Sequence, residues 1–364
     1  MAENFSVSEL IVPGVFVRVR AEGLIRAGGI SSGNIGIVGT ASSLADGQTV
    51  ILSDYDAARA SFGEYDAYLT GESVTGTLNL VRSLQLIYQN GGRTVYARAL
   101  AAAAARTDYE AAFAELLKDD INIVLAPELS YSDAVAVFGS LLESAENDGK
   151  DLIAIVGSEL GGGSMADFLS TVPDNDRLIV TAPGVVSYDA AASEEVALAG
   201  TYTAAAVAGL ISSLVPQSSP TNKALPGLTK LAQRFSYGEL KALVSGRVLA
   251  LEERQGVKVV RGITTESGAF QQITTRRIVD AAKQGIRKSS EPFIGKLNNA
   301  RVRKALQGAI ASFLDGMVGD EALTTYSLEV TATRDDEIGG RAVVNAVLQP
   351  TFSIDYIAVT LNLQ

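Results

Sequence analysis

Three stretches, INIVLA at 121–126, LIAIV at 152–156 and LIVTA at 178–182, carry no charge and at most one polar residue each. A strand that is apolar on both faces must be covered on both sides, which is the condition of a parallel sheet flanked by helices. The intervening segments supply the covers. Helical patterns follow Asp108, span Ser132–Glu146 and resume after Gly157, so strand and helix alternate from Asp108 to Ala182. The stretch reads as a parallel α/β layer.

Working outward toward the N-terminus, GNIGIVGT at 33–40 reads as another apolar strand, with glycines where backbones approach closely. Asp54 is a candidate N-cap for a helix ending at Phe62. Val74–Gln89 is a longer helical pattern with Leu80, Leu84 and Ile87 on one face, stopped by Asn90-Gly91-Gly92, and Arg93–Leu100 reads as a strand. In the other direction no charge occurs between Glu195 and Lys223. A helix over Glu194–Leu214 is expected there. Its Ala, Gly, Ser and Thr content assigns it to a buried position and not to a membrane span.

Pro216, Ser218, Ser219, Pro220, Asn222, Pro226 and Gly227 then gather in the best linker candidate of the chain, and a domain boundary is expected there. Beyond it the pattern gives a helix near Ser236–Ser245, strands near Val248–Leu251 and Val257–Ile263, helices over Thr274–Lys288 and Asn298–Gly316, and alternating strands over Tyr326–Thr333 and Arg341–Leu348. The expected fold class is α/β plus α+β. An outer α/β domain spans 23–215, with a candidate internal split near residue 100. A linker covers 216–227, and an inner α+β domain with antiparallel strands covers 228–350. Extended β-strand arms are expected at both termini, 1–22 and 351–364.

The arms are legible from alternation. Behind Pro13-Gly14, Val15, Val17 and Val19 alternate with Phe16, Arg18 and Arg20. In TFSIDYIAVTLNLQ at 351–364, Phe352, Ile354 and Tyr356 are apolar at even positions, whereas Ile357, Val359, Leu361 and Leu363 are apolar at odd ones. The apolar phase flips between Tyr356 and Ile357. A one-residue slip turns every later side chain to the opposite face, so a bulge or a crossing between sheets is expected at that point.

Composition narrows the chemistry. The 364 residues include no Cys and no His, which removes disulfides, thiolate nucleophiles, zinc–thiolate sites and the commonest general base and metal ligand. No catalytic, cofactor-binding or metal-binding residue is assigned. The sharpest enzyme-like feature is GSELGGGS at 157–164, which fits a phosphate-loop frame except that Gly163 replaces the lysine and Glu159 puts a negative charge inside the loop. A plain flexible βα connection is the expected reading. Asp335-Asp336-Glu337 lacks the ligand spacing of a calcium loop and reads as a solvated hairpin tip. The N-terminus, MAENFSVSEL, lacks the basic and apolar regions of a signal peptide, so folding in a reducing compartment is expected.

Charge is unevenly spread. The net charge is −11, which disfavours nucleic acid and anionic membranes as general partners. Yet residues 271–310 hold nine basic against two acidic side chains, a local +7. Arg276, Lys283 and Arg287 share one helix face, with Arg277 and Lys288 nearby, while Ile278, Ala282 and Ile286 lie on another. One side is expected to pack while the other presents cations, either as a solvated face with some internal salt bridges or as a docking surface for an acidic partner.

At this point the residues resemble a family, the contractile tail sheath proteins of bacteriophages and related contractile injection systems. The resemblance is carried by VPGVFVRVR (12–20), GNIGIVGTA (33–41), SDYDAARASFG (53–63), QNGGRTVYARAL (89–100), SPTNKAL (219–225), GVKVVRGITT (256–265), TTRRIVDAAKQGI (274–286) and the terminal alternating strand. It implies a structural subunit and no enzyme. Copies would polymerise in hexameric layers as a helical sleeve around a tail tube protein, bounded by baseplate and tail terminator proteins. They would assemble in the host bacterial cytoplasm into a virion tail and contract from a metastable extended state to drive the tube through an envelope. It implies further that the arms are inter-subunit strands, through Val15, Phe16, Val17, Val19, Ile354, Tyr356, Ile357, Val359, Leu361 and Leu363. By analogy, Arg276, Arg277, Lys283, Arg287 and Lys288 form a candidate tube-facing helix. The competing reading is an α/β enzyme with carboxylate or degenerate phosphate-loop chemistry; a third is a nucleic-acid or membrane-surface protein working through the +7 segment.

Overall fold

The computed structural model describes residues 32–44, 47–68, 79–158, 160 and 164–362. The expected N-terminal strand with Val15, Phe16, Val17 and Val19 lies outside the described residues, as does Leu363.

An eight-stranded sheet dominates the molecule. Its strands are β1 (Ile35–Thr40), β2 (Val50–Leu52), β3 (Val95–Leu100), β4 (Ile123–Leu125), β5 (Ile153–Gly157), β6 (Leu178–Ala182), β10 (Leu249–Glu253) and β11 (Val257–Val259), in the order β11-β10-β6-β5-β4-β1-β3-β2. The inner six pair in parallel, and β2 and β11 close the two edges antiparallel. The uncharged stretches 121–126, 152–156 and 178–182 occupy its centre, and β6 runs from Leu178 to Ala182 as expected.

Alternate residues of these strands feed two cores. Ile35, Ile37, Ile123, Leu125, Ile153, Ile155, Ile179 and Leu249 pack with Leu80, Leu84 and Ile87 of α2 (Leu80–Gln89) and with α6 (Thr203–Ser213). Val38, Val124, Ala154, Val156, Val180 and Ala250 pack on the opposite face with Phe113 of α3 (Arg106–Leu116), Phe138 of α4 (Tyr131–Asn147) and Leu243 of α7 (Tyr237–Ser245). Burial on both faces is why β4, β5 and β6 carry no charge. Asp54 caps α1 (Tyr55–Phe62) by accepting from the Ala57 amide at 2.8 Å. Ser236 and Glu239 form a reciprocal capping box at the start of α7.

The uncharged run is corrected in part. Glu194–Ala197 is not helical but forms β8, which pairs with β7 (Val185–Asp189), itself flanked by the short β9 (Lys230–Leu231). Only Thr203–Ser213 forms the helix, with Thr203 to Ile211 all buried. A helix enclosed on every side cannot hold a charge cheaply, and this accounts for the missing charges without a membrane. No described helix is long and apolar enough to cross one.

The large sheet does not end at the segment 216–227. The chain crosses that segment, forms α7 and returns to the large sheet, where Leu249 and Ala250 pair in parallel with Thr181 and Ala182 of β6. It leaves the sheet region only near Thr265, whose amide donates to the Leu178 carbonyl at 2.9 Å. A smaller module follows: α8 (Ile273–Ser290), α9 (Ala300–Gly319), and the antiparallel hairpin β12 (Leu323–Thr331) and β13 (Val343–Pro350). Ile278, Ala282, Leu306, Ile310, Leu314 and Leu323 form its own core. Gly285 lets the two helices close up, since a Cβ there would lie 1.9 Å from the Phe313 ring. The acidic triplet is not a bare tip either: Thr333 and Asp336 box the start of the short helix α10 (Arg334–Ile338), and Arg341 pairs with Asp336.

Candidate interaction surfaces

The basic helix α8 and the chain that follows β13 are the two surfaces the sequence singles out, and their geometries are opposite. On α8, Arg276 and Arg277 are each 5% exposed. Arg276 donates to Asp176 and Asp280, both at 2.6 Å, and lies over the Phe270 ring. Arg177, from the amino end of β6, reaches Asp280 at 3.0 Å and Asp151 at 3.0 Å. Lys283 and Arg287 each place a nitrogen 2.5 Å from Asp151. Arg177, Arg276, Lys283 and Arg287 thus face Glu146, Asp151, Asp176 and Asp280 in one seam, and its formal charge cancels.

Arg277 is buried among carbonyls instead, donating to Leu214 at 2.8 Å and Ser32 at 3.0 Å. It thereby serves the carbonyl-rich C-terminal end of α6. Burial pulls its guanidinium down to about 10. For Asp151, burial acts to raise the carboxyl, but hydrogen bonds from Lys283 and Arg287 outweigh it and hold the group below the usual range.

The expectation that this helix face presents free cations is therefore corrected for the monomer. Apart from Asp280, one turn along α8 from Arg276, the carboxylates lie a hundred or more residues away, at the end of α4 and the amino ends of β5 and β6, and helix periodicity carries no information about those. Lys283 is partly exposed, and Arg287 and Lys288 at the helix end are exposed. A cleft of about 380 Å³ beside them is lined by Asp119, Asp120, Lys150, Asp151, Arg287 and Lys288 among others.

Of the phosphate-loop-like stretch 157–164, residues 159 and 161–163, Glu159 and Gly163 among them, lie outside the described residues. Gly157 is tight against the 3-10 turn Gly200–Tyr202: a Cβ on Gly200 would lie 1.6 Å from the Ser158 carbonyl oxygen. At the carboxyl end of the sheet, Glu128 is buried, accepting from the Thr40 amide at 2.9 Å, the Thr40 hydroxyl at 2.6 Å and the Tyr109 hydroxyl at 3.4 Å. Burial pushes it up to about 8 despite those bonds. Arg82 pairs with Asp189 in the same interior at 3.1 Å. These groups knit secondary elements together. Among the described residues no group of three or more carboxylates is placed to hold a metal ion.

The second surface is apolar and open. Tyr326, Leu328, Val330, Val344 and Leu348 pack the hairpin against the helices, while Thr325, Ser327, Glu329, Asn345, Val347 and Gln349 face outward. Among the described residues β12 and β13 pair only with each other, so each has an open edge. From β13 the chain runs on through 351–362 without regular secondary structure. Ile354 is 79% exposed, Tyr356 76%, Ile357 83%, Val359 74% and Leu361 85%. The expected arm strand has no strand partner among the described residues. Sequence reasoning missed the anchors of this segment: Arg261 donates to Asp355 at 2.8 Å, and Gln272 bonds both the amide and the carbonyl of Ser353.

Residues 265–364, which begin where the chain leaves the large sheet, match the family model of the phage tail sheath C-terminal domain. Among solved structures, the helical sheath of the anti-feeding prophage in its contracted state aligns with a TM-score of 0.75 at 19% identity, over 96% of this chain and 99% of that one. The PVC sheath complex of an extracellular contractile injection system, also contracted, gives 0.74 at 16% identity over 96% and 97%. The sheath tail protein from Listeria innocua gives 0.68 at 13% identity over 92% and 95%. No curated protein sequence matches the chain significantly. At these identities the structural likeness is one of fold. The chain is thus similar in fold, over nearly its whole length, to contractile sheath proteins, and in sequence its residues 265–364 match the phage tail sheath C-terminal domain.

Proposed function

We propose that the chain is the sheath subunit of a contractile tail or injection system. It polymerises with copies of itself in stacked hexameric layers around a tail tube, between baseplate and tail terminator proteins, and contracts from a metastable extended state to drive the tube through a cell envelope. The particle, a virion tail or a related machine, assembles in the host bacterial cytoplasm.

The observation that carries this reading is the run of exposed apolar residues from Phe352 to Leu361, leaving an edge-open hairpin inside the segment that matches the sheath domain. A strand of alternating residues with no ladder of its own is built to complete another sheet. Val15, Phe16, Val17 and Val19 offer the same alternation at the other terminus. Because the donor segment and the open hairpin edge are different surfaces, the contact is heterologous and propagates as a lattice.

Burying Ile357, Val359 and Leu361 in a neighbour is worth about 1.5–3 kcal/mol each before ordering costs. Each ladder hydrogen bond adds roughly 1 kcal/mol net. Such tethers hold adjacent subunits together while the bodies between them reorient. The driving energy then resides in repacked body contacts, and no nucleotide is needed. Tube contact through α8 narrows to its exposed end, Arg287 and Lys288.

Electron microscopy of the purified protein tests the proposal. Tubes or stacked rings are expected, and removal of 351–364 is expected to abolish them. A monomer at high concentration that is indifferent to that truncation would sink the reading.

A further inference from the structure

We infer that Asp355 is a positioning residue: it pins the C-terminal segment to its own body, so that the part offered to a second copy of the chain begins at Ile357. The inference rests on the sheath reading and deepens it.

The clasp is built from separate stretches of the chain. The Asp355 carboxylate, 7% exposed, accepts from Arg261 Nε at 2.8 Å, Gln272 Nε2 at 3.1 Å and the Thr221 hydroxyl at 3.4 Å. The Gln272 amide also receives the Ser353 N–H at 3.0 Å and donates to the Ser353 carbonyl at 3.1 Å, as an adjacent strand would. Thr274 meets the Ser353 hydroxyl at 3.0 Å, and the Arg261 guanidinium lies 5.4 Å from the centre of the Tyr356 ring. Thr221 sits in the segment first read as a linker, Arg261 follows β11, and Gln272 and Thr274 open α8. The pin therefore joins the tail to both modules.

The clasp also explains the flip in apolar phase. Up to Asp355 the odd positions, Ser353 and Asp355, are polar and turn inward to the body, while Phe352, Ile354 and Tyr356 turn out. After it the odd positions become apolar, Ile357, Val359 and Leu361, and the body leaves all three more than 70% exposed. A segment whose inward phase changes from polar to apolar where its own body ends is matched to two floors. The polar floor is its own clasp, and the apolar floor has to come from another molecule. The occupant we assign is a second copy of this chain, because the chain matches the fold of a helical sheath.

The natural sequence has no cysteine, so a Thr360→Cys, Lys241→Cys pair accepts two spin labels and nothing else does, and tube assembly is followed separately on unlabelled, cysteine-free chains. Spin-label distance distributions are measured on the monomer, together with its unfolding midpoint, in the parent and in Asp355→Asn and Gln272→Ala variants. A narrow distribution in the parent, at least twofold broader in both variants at an unchanged midpoint, is expected. Tube assembly by the variants is expected to slow at least tenfold. A parent distribution as broad as the variants', or variants that keep the parent distribution, overturns the pin whatever happens in assembly. A parent that fails to form tubes while its tail stays narrowly placed removes the sheath reading and leaves the pin standing.

Discussion

Helix α8 and the tail beyond β13 are neighbours in the same module, yet they complete their contacts in opposite ways. Around α8, Arg276, Arg277, Lys283 and Arg287 all find acceptors inside the chain, and the charges of the seam cancel. Along the tail, the polar residues Ser353 and Asp355 are satisfied internally while the apolar ones stay in water. Buried charge is costly to leave unpaired, so it is settled within the fold. Exposed apolar surface is tolerable in an isolated chain and releases its free energy on association, which suits it to subunit contacts. The lesson is that the conspicuous charge of this protein serves monomer architecture, whereas its less conspicuous alternation finds no strand partner among the described residues, as the proposed assembly requires.

The hardest way to break that contrast is Arg276→Glu, which sets a carboxylate against Asp176 and Asp280 in a nearly dry site. We expect a loss of about 4 kcal/mol in denaturant unfolding; a change under 1 kcal/mol would return the helix face to solvent and revive it as a docking surface. Gly285→Ala forces a methyl into the Phe313 ring and should cost about 2 kcal/mol by the same measurement, with α9 displaced from α8.

Acid probes the seam without mutation. Asp151 is held below its ordinary value of 3.8, so its stabilisation is complete above that pH and is lost as pH falls through the folded value. Unfolding midpoints of the parent should therefore drop faster below pH 4 than those of Asp151→Asn, although the variant starts lower at neutral pH. The gentlest test lies on the tail: Ile357→Asn with Val359→Asn should shift monomer stability by no more than about 0.5 kcal/mol in thermal unfolding. A larger shift would mean that the tail packs on its own body.

Much of the large sheet was legible because its strands are apolar on both faces, a pattern that few other environments require. Leu178–Ala182 and the cap at Asp54 were readable nearly to the residue. The continuation of the sheet beyond 216–227 was not legible, because Pro, Gly and Ser mark a turn and say nothing about which sheet the chain enters next. Membership of β10 depends on pairing with β6, some seventy residues back. Glu194–Ala197 misled for a related reason, since lack of charge reports burial and not the type of element. Of the two candidate surfaces, the tail was legible in its alternation and phase flip, whereas Arg261, Gln272 and Thr221 carry no local signal of their joint role.

By itself the sequence determined the parallel α/β layer, the apolar helix at its centre, the alternating tail and the resemblance to sheath proteins, because periodicity and composition are local consequences of which faces are buried. Only the tertiary structure decided that the basic helix is neutralised by Glu146, Asp151 and Asp176, that the sheet continues past residue 216, and that the tail is pinned at Asp355. Each of these is a contact between residues far apart in the chain, and its energy depends on distance and burial that no stretch of sequence encodes alone.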